Sequence, residues 1–147
     1  MIWSVAGTHP TIEKASLSGK QRVTVVTTHL LNPNGIDLDR GNKRIFWVDA
    51  AYDTVESVNY NGRDRKILFQ QHGLHPFGVA LIAPLMFFTD WNTQLGVHKL
   101  DASTGEVLRS FSINGGIPMS IVAYDSTRQP PGIKKQSLLK RSTRLRV

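Results

Sequence analysis

The chain has 147 residues, 40% of them hydrophobic, and a formal net charge of +7. That is enough apolar side chain for one domain with its own core, and too much for a disordered segment. The charge is uneven: residues 1–127 carry eleven Lys/Arg and eleven Asp/Glu, whereas residues 128–147 carry seven Lys/Arg and no acid. A neutral body with a basic appendage does not read as a nucleic-acid-binding fold, which concentrates positive charge on a binding face. No cysteine is present, so no disulfide framework can hold the fold. Met1 runs directly into Ile2-Trp3-Ser4-Val5 with no basic n-region, so no signal peptide is read there. The longest apolar run, residues 77–88, contains Gly78 and Pro84 and is too short for a spanning helix.

Taken in chain order, the sequence repeats itself. The first unit holds Ile2-Trp3-Ser4-Val5, Ile12-Glu13, Ser18-Gly19 and Asn32-Pro33-Asn34-Gly35-Ile36. The second holds Phe46-Trp47-Val48-Asp49, Val55-Glu56, Asn61-Gly62 and His75-Pro76-Phe77-Gly78-Val79. The third holds Phe87-Phe88-Thr89-Asp90, Gly96-Val97, Thr104-Gly105 and Ile117-Pro118-Met119-Ser120-Ile121. Glycines 19, 62 and 105 are evenly spaced, and prolines 33, 76 and 118 nearly so. Each unit predicts four short strands, placed in the middle one near 35–39, 44–49, 54–60 and 65–70. Arg44-Ile45-Phe46-Trp47-Val48 is β-branched and aromatic, as strands prefer. Asn61-Gly62 between two such runs signals a hairpin. No segment sustains a 3.6-residue period, so helix is expected to be scarce. A repeat of about 40–45 residues with four strands per unit predicts an all-β propeller.

Phe46-Trp47-Val48-Asp49 and Phe87-Phe88-Thr89-Asp90 resemble the Tyr-Trp-Thr-Asp motif of the class B repeats of the LDL receptor family. Their surroundings are similar too: Thr8 to Ala15, Pro33 to Asp39, His75-Pro76-Phe77, Thr89 to Thr93, and Pro118 through Pro131. The resemblance covers residues 2–131 and is strongest to the Wnt co-receptor branch and its agrin-receptor relative. It implies an incomplete six-bladed YWTD β-propeller over residues 1–132: two full four-stranded blades, most of a third, and one more strand at 117–124. Residues 133–147 are expected to form a basic, disordered tail. A heparin-binding or nuclear-localisation role for that tail has no aromatic interleaving to support it. In the family an EGF-like domain follows such a propeller; here Ile133-Lys134-Lys135 stands instead. The expectation is an incomplete gene product, which sequencing of the full transcript tests.

Function in such a fold lies on loops. The resemblance implies a rim that meets secreted protein ligands, built from the loops entering each innermost strand and those leaving each motif strand. Asn34, Tyr52, His75, Phe77 and Trp91 are the candidate ligand-binding residues, since exposed aromatics and amides make interface hot spots. Each has a structural alternative: a turn for Asn34, blade packing for Phe77 and Trp91, and a hydrogen-bonded surface imidazole for His75. Asp53 stands where the family resemblance would place a second acid-sensing histidine beside His75. Trp3, Trp47, Asp49, Phe88 and Asp90 are the expected structural motif residues.

The resemblance implies an extracellular module at the plasma membrane, attached through segments absent from this chain, with no cofactor and no enzymatic activity. A nidogen-like matrix propeller is the alternative. A six-bladed lactonase is a remoter one, because only Asn34 among the inner-strand starts could ligate calcium and one ligand is not a site. No nucleophile triad, phosphate loop or motif-bound carboxylate pair is present.

Overall fold

The computed structural model describes residues 1–92 and 95–124. These residues form β1 (Ile2–Val5), β2 (Thr11–Lys14), β3 (Val23–Val26), β4 (Pro33–Asp39), β5 (Arg44–Asp49), β6 (Thr54–Asn59), β7 (Lys66–Gln70), β8 (Pro76–Ile82), β9 (Leu85–Asp90), β10 (Val97–Asp101) and β11 (Val107–Phe111). Every pairing is antiparallel between chain neighbours, giving sheets β1-β2-β3, β4-β5-β6-β7 and β8-β9-β10-β11. No helix occurs among the described residues. The three sheets are successive blades of an incomplete propeller. Among the described residues the first blade has three strands; the other two each have four.

The middle strand of the middle blade shows why the blades stack. On β5, Ile45 and Trp47 enter one hydrophobic cluster with Ile12, Val26, Leu30 and Val58. Phe46 and Val48 enter the opposite one with Val79, Leu81, Met86, Phe88 and Leu100. Side chains alternate across a strand, so consecutive residues of β5 fill the two interfaces that flank blade two. Ile45, Trp47 and Val48 are wholly buried, which is why the strand reads apolar throughout rather than alternating.

Backbone approach between blades is set by glycine. A Cβ on Gly35 would lie 2.6 Å from the Val79 nitrogen, and one on Gly78 would lie 2.9 Å from the Ile121 nitrogen. The innermost strands thus pass each other backbone to backbone around the axis, β4 on β8 and β8 on residues 119–121. At the outer side, Gly62 (φ 80°) abuts the Val25 carbonyl and Gly105 (φ 79°) abuts the Leu68 carbonyl. The hairpin glycines of blades two and three therefore rest on the outer strand of the blade before each.

One expected element is absent. Residues 117–124 follow the inner-strand sequence but form no strand. The segment lies against β8, and its carbonyls at Pro118 and Met119 accept bonds from Trp91 and Thr89. A strand needs a ladder partner. The second strand of that blade has no counterpart among the described residues, so the segment is extended without being paired. The basic run at 133–147 lies outside the described residues.

Gly19 shares the positive φ of Gly105 (78° against 79°), but a Cβ there meets nothing within 4 Å, whereas on Gly105 it would lie 1.8 Å from the Leu68 carbonyl oxygen. Gly19→Ala should therefore cost only the left-handed backbone penalty, about 1 kcal/mol. Gly105→Ala adds a backbone clash and should cost about 2–4 kcal/mol in total. Urea unfolding of the two variants checks the difference.

Candidate functional site

Loops at one end of the blades are tied together by the aspartate that closes each motif strand. Asp49 ends β5 and is fully buried. Its carboxylate accepts the N–H groups of Leu31 (2.9 Å) and Asn32 (3.1 Å) from the loop entering β4, and those of Ala51 (3.0 Å) and Tyr52 (3.3 Å) from the loop leaving β5. Asp90, equally buried at the end of β9, accepts the N–H of His75 (2.7 Å) from the entering loop and of Asn92 (3.1 Å) from the leaving loop. A carboxylate that accepts several N–H groups binds their segments to one point. The charge fixes two loops of one blade against each other, and those loops form the rim.

The five rim candidates separate into three places. His75, Phe77 and Trp91 come together on blade three: Trp91 stacks on His75 (5.1 Å between ring centroids) and on Phe77 (4.6 Å). The indole Nε1 of Trp91 donates to the Pro118 carbonyl at 2.8 Å. All three residues are partly buried. Asn34 lies on β4, and its Nδ2 donates to the Pro76 carbonyl at 3.2 Å. Its amide joins blade two to blade three rather than pointing free. Tyr52 is 42% exposed and stands away from the aromatic stack. It lines a cleft of about 380 Å³ with Thr28, His29, Glu56, Arg65 and Ile67. Asp53, beside it, accepts the N–H of Gly73 and lies 3.6 Å from the exposed His72 ring.

Trp47 and Phe88 are fully buried at blade interfaces, whereas Trp3 is only partly buried. The threonine of the motif also bridges blades: Thr89 Oγ1 donates to the Met119 carbonyl at 2.7 Å, and Ser4 Oγ donates to the equivalent Asn34 carbonyl at 3.1 Å. Val48 has no hydroxyl; Asn34 Nδ2 to the Pro76 carbonyl and the Leu81 N–H to Asp37 Oδ2 (2.7 Å) link those two blades.

Sequence reasoning missed a second repeated arrangement. Glu56 faces Trp47 across β5–β6; it accepts from Thr54 (3.0 Å) and pairs with Arg65 at 2.7 Å, and the guanidinium lies over the Trp47 ring at 5.1 Å. Arg65 also donates to the Thr28 and His29 carbonyls at the end of the preceding blade. Glu13, Thr11, Arg22 and Trp3 repeat this arrangement in blade one, with the pair at 2.6 Å and the cation 5.5 Å from the ring. There the Arg22 guanidinium holds the Glu13 carboxyl below its usual value. The signal was legible: Thr-x-Glu, then Arg nine residues on, occurs twice in register.

Blade three breaks the pattern. Gly96-Val97-His98 replaces Thr-x-Glu, and His98 faces Phe88, stacking on it at 4.7 Å. Its Nδ1 lies 2.9 Å from Ser110 Oγ, and its Nε2 lies 3.7 Å from Asp90 Oδ2. Both of those facing atoms are buried without a hydrogen-bond partner. Burial pushes the imidazole below its ordinary 6.5, and Asp90 only partly opposes this.

Comparison with known proteins agrees with this geometry. Residues 43–81, which span β5 to β8, match the low-density lipoprotein receptor repeat class B. The chain is 31% identical over 130 residues to the vitellogenin receptor Yl of Drosophila melanogaster and 30% identical over 130 residues to the vitellogenin receptor of Solenopsis invicta. Those alignments cover 88% of this chain but only 6% and 7% of the receptors. Protein cueball of Drosophila willistoni is 44% identical over 41 residues, 28% of this chain and 6% of that protein. Among solved structures, a chain of a nidogen/laminin complex superposes with a TM-score of 0.50 at 21% identity, covering 82% of this chain and 62% of that one, which is a likeness of fold. The chain thus carries a class B repeat and is similar to LDL-receptor-related receptors.

The lowered pKa of His98 has a consequence for stability. The folded state binds its proton less tightly than the unfolded chain, so this contribution is complete above the unfolded value of 6.5 and is lost as pH falls from there towards the folded value. The urea midpoint should fall between pH 7.5 and pH 5.5, and His98→Gln should flatten that part of the profile.

Proposed function

We propose that this chain is part of an extracellular module that binds secreted protein ligands at the rim of a class B repeat propeller, in a cell-surface receptor. The observation that carries the reading is the half-exposed stack of His75, Phe77 and Trp91, held rigid by the buried Asp90 and by the Pro118 carbonyl. Rigid aromatics with one side in solvent give large contact area at little entropic cost, which is the character of interface hot spots. Asn34 and Tyr52 extend the same rim over blade two. Similarity to receptors rather than to enzymes supports binding as the activity.

Within this reading, the vitellogenin receptors favour endocytic uptake of a secreted protein over Wnt co-receptor signalling. The nidogen/laminin likeness extends to the fold, so a matrix role has no residue-level support. Purified vitellogenin and a purified Wnt protein, each presented to the receptor that carries this propeller, distinguish the two. Vitellogenin should bind, and Phe77→Ala or Tyr52→Ala should weaken binding by about tenfold, about 1.4 kcal/mol, with the thermal melt unchanged. Binding of Wnt alone would overturn the endocytic assignment. Binding of vitellogenin with undiminished affinity in both variants would overturn the rim.

A further inference from the structure

We propose that the end of blade two opposite the rim binds an extended sulfated polysaccharide, through Lys14, Arg40, Lys43 and Arg63. The choice of polyanion rests on the extracellular reading above; the surface itself does not depend on the rim ligand.

The charge of the propeller body sums to zero in the sequence but is polarised in the fold. Nine of the eleven Lys/Arg in residues 1–127 fall between Lys14 and Lys66, whereas the rim carries Asp49, Asp53 and Asp90. In blade two the loops away from the rim are residues 40–43, between β4 and β5, and residues 60–65, between β6 and β7. Arg44 ties them together. Its guanidinium donates to Asn59 Oδ1 (2.9 Å), Ser57 Oγ (2.9 Å), Asp64 Oδ2 (2.6 Å) and the Asp64 carbonyl (2.8 Å). The Tyr60 N–H donates to the Lys43 carbonyl (2.9 Å), the Asn59 N–H to the Arg63 carbonyl (3.0 Å), and Lys14 Nζ of blade one to the Tyr60 carbonyl (2.6 Å). Lys14, Lys43 and Arg63 are thus gathered around residues 59–60, and Arg40 lies close enough to act on the ionisation of the Tyr60 hydroxyl.

The acids at this end are already engaged. Asp39 accepts from the Asn42 N–H (3.0 Å) and from Asn42 Nδ2 (2.8 Å). Asp64 faces Arg44 and Lys66, and Asp37 accepts the N–H groups of Leu38 and Leu81. Lys14, Arg40, Lys43, Arg44, Arg63 and Lys66 outnumber these three acids two to one. Among the described residues Lys14, Arg40, Lys43 and Arg63 pair with no carboxylate, and the last three are exposed. A surplus of positive charge on one rigid surface attracts a polyanion, whose binding releases counterions. The cations stand on three segments rather than in one N–H cradle, which suits a row of anionic groups along a chain better than a single phosphate. A bilayer is the poorer fit. Loops 40–43 and 60–65 hold no large apolar side chain except Tyr60, which is partly buried, so nothing there is free to insert among acyl chains.

A heparin oligosaccharide is the probe. To keep the basic run at 134–146 out of the reading, every substitution is made in a chain whose Lys134, Lys135, Lys140, Arg141, Arg144 and Arg146 are replaced by glutamine. That chain should bind heparin at low salt. Combining Arg40→Gln, Lys43→Gln and Arg63→Gln should weaken binding at least about tenfold and lower the slope of log affinity against log salt by about two to three. Lys99→Gln with Arg109→Gln, which removes two cations of blade three, should change affinity by less than about twofold. The thermal melt and vitellogenin binding at the rim should be unchanged in both, which separates failure here from failure of the rim. Should the triple variant melt early, the three single substitutions decide, each expected to weaken binding by about twofold. Undiminished heparin binding without these three cations overturns the proposal. So does an equal loss per charge removed in the blade-three variant, or binding to phosphatidylserine vesicles with none to heparin.

Discussion

Each blade has two apolar faces and can cover them only with its neighbours. That constraint governs the structure. β5 sends Ile45 and Trp47 to one interface and Phe46 and Val48 to the other, so blade two has no face of its own to offer water. Burial at both interfaces drives the stacking. Glycine at the inner strands and at the outer hairpins lets the backbones close to the required distance. Trp3 is half-exposed where Trp47 is buried, and Arg22 is open where Arg65 is capped.

Polar groups then make the stacking specific. The buried aspartates fix loop to loop within a blade, through N–H donors rather than through counter-ions. The Glu56–Arg65 pair does the reverse, reaching from one blade to carbonyls of the one before. Breaking a pair buried like this one costs about 3–5 kcal/mol, comparable to a large part of a domain's net stability. The rim is therefore a surface whose shape is fixed by charges beneath it. The aromatic stack of blade three sits directly on such a charge, and a preformed surface suits recognition without rearrangement.

Much of this was legible in the sequence. The repeat of about 43 residues marked three groups of like pattern, and the middle blade lies within two residues of its expected strands. Asp49 and Asp90 stood out because the motif ends on them. The rim was legible as loops, but not the assembly of His75, Phe77 and Trp91 into one stack, since stacking depends on how loop ends 14–16 residues apart are brought together. Asn34 read as a turn or contact residue; its amide donates to the Pro76 carbonyl 42 residues on, a contact that only the stacking of two blades creates. The strand expected at 117–124 failed for a different reason: its sequence fits a strand, but strand character belongs to a pair. The Trp–Glu–Arg arrangement was present twice in register and was overlooked because its members are separated by nine or ten residues.

Amide hydrogen exchange resolved along the chain tests the central claim, that neighbouring blades bury each other. Protection should be greatest in β5 and β6, which are buried along nearly their whole length and paired on both edges, and least in the exposed outer strands β3, β7 and β11. Uniform protection across all strands, or outer strands as slow to exchange as β5, would contradict the account.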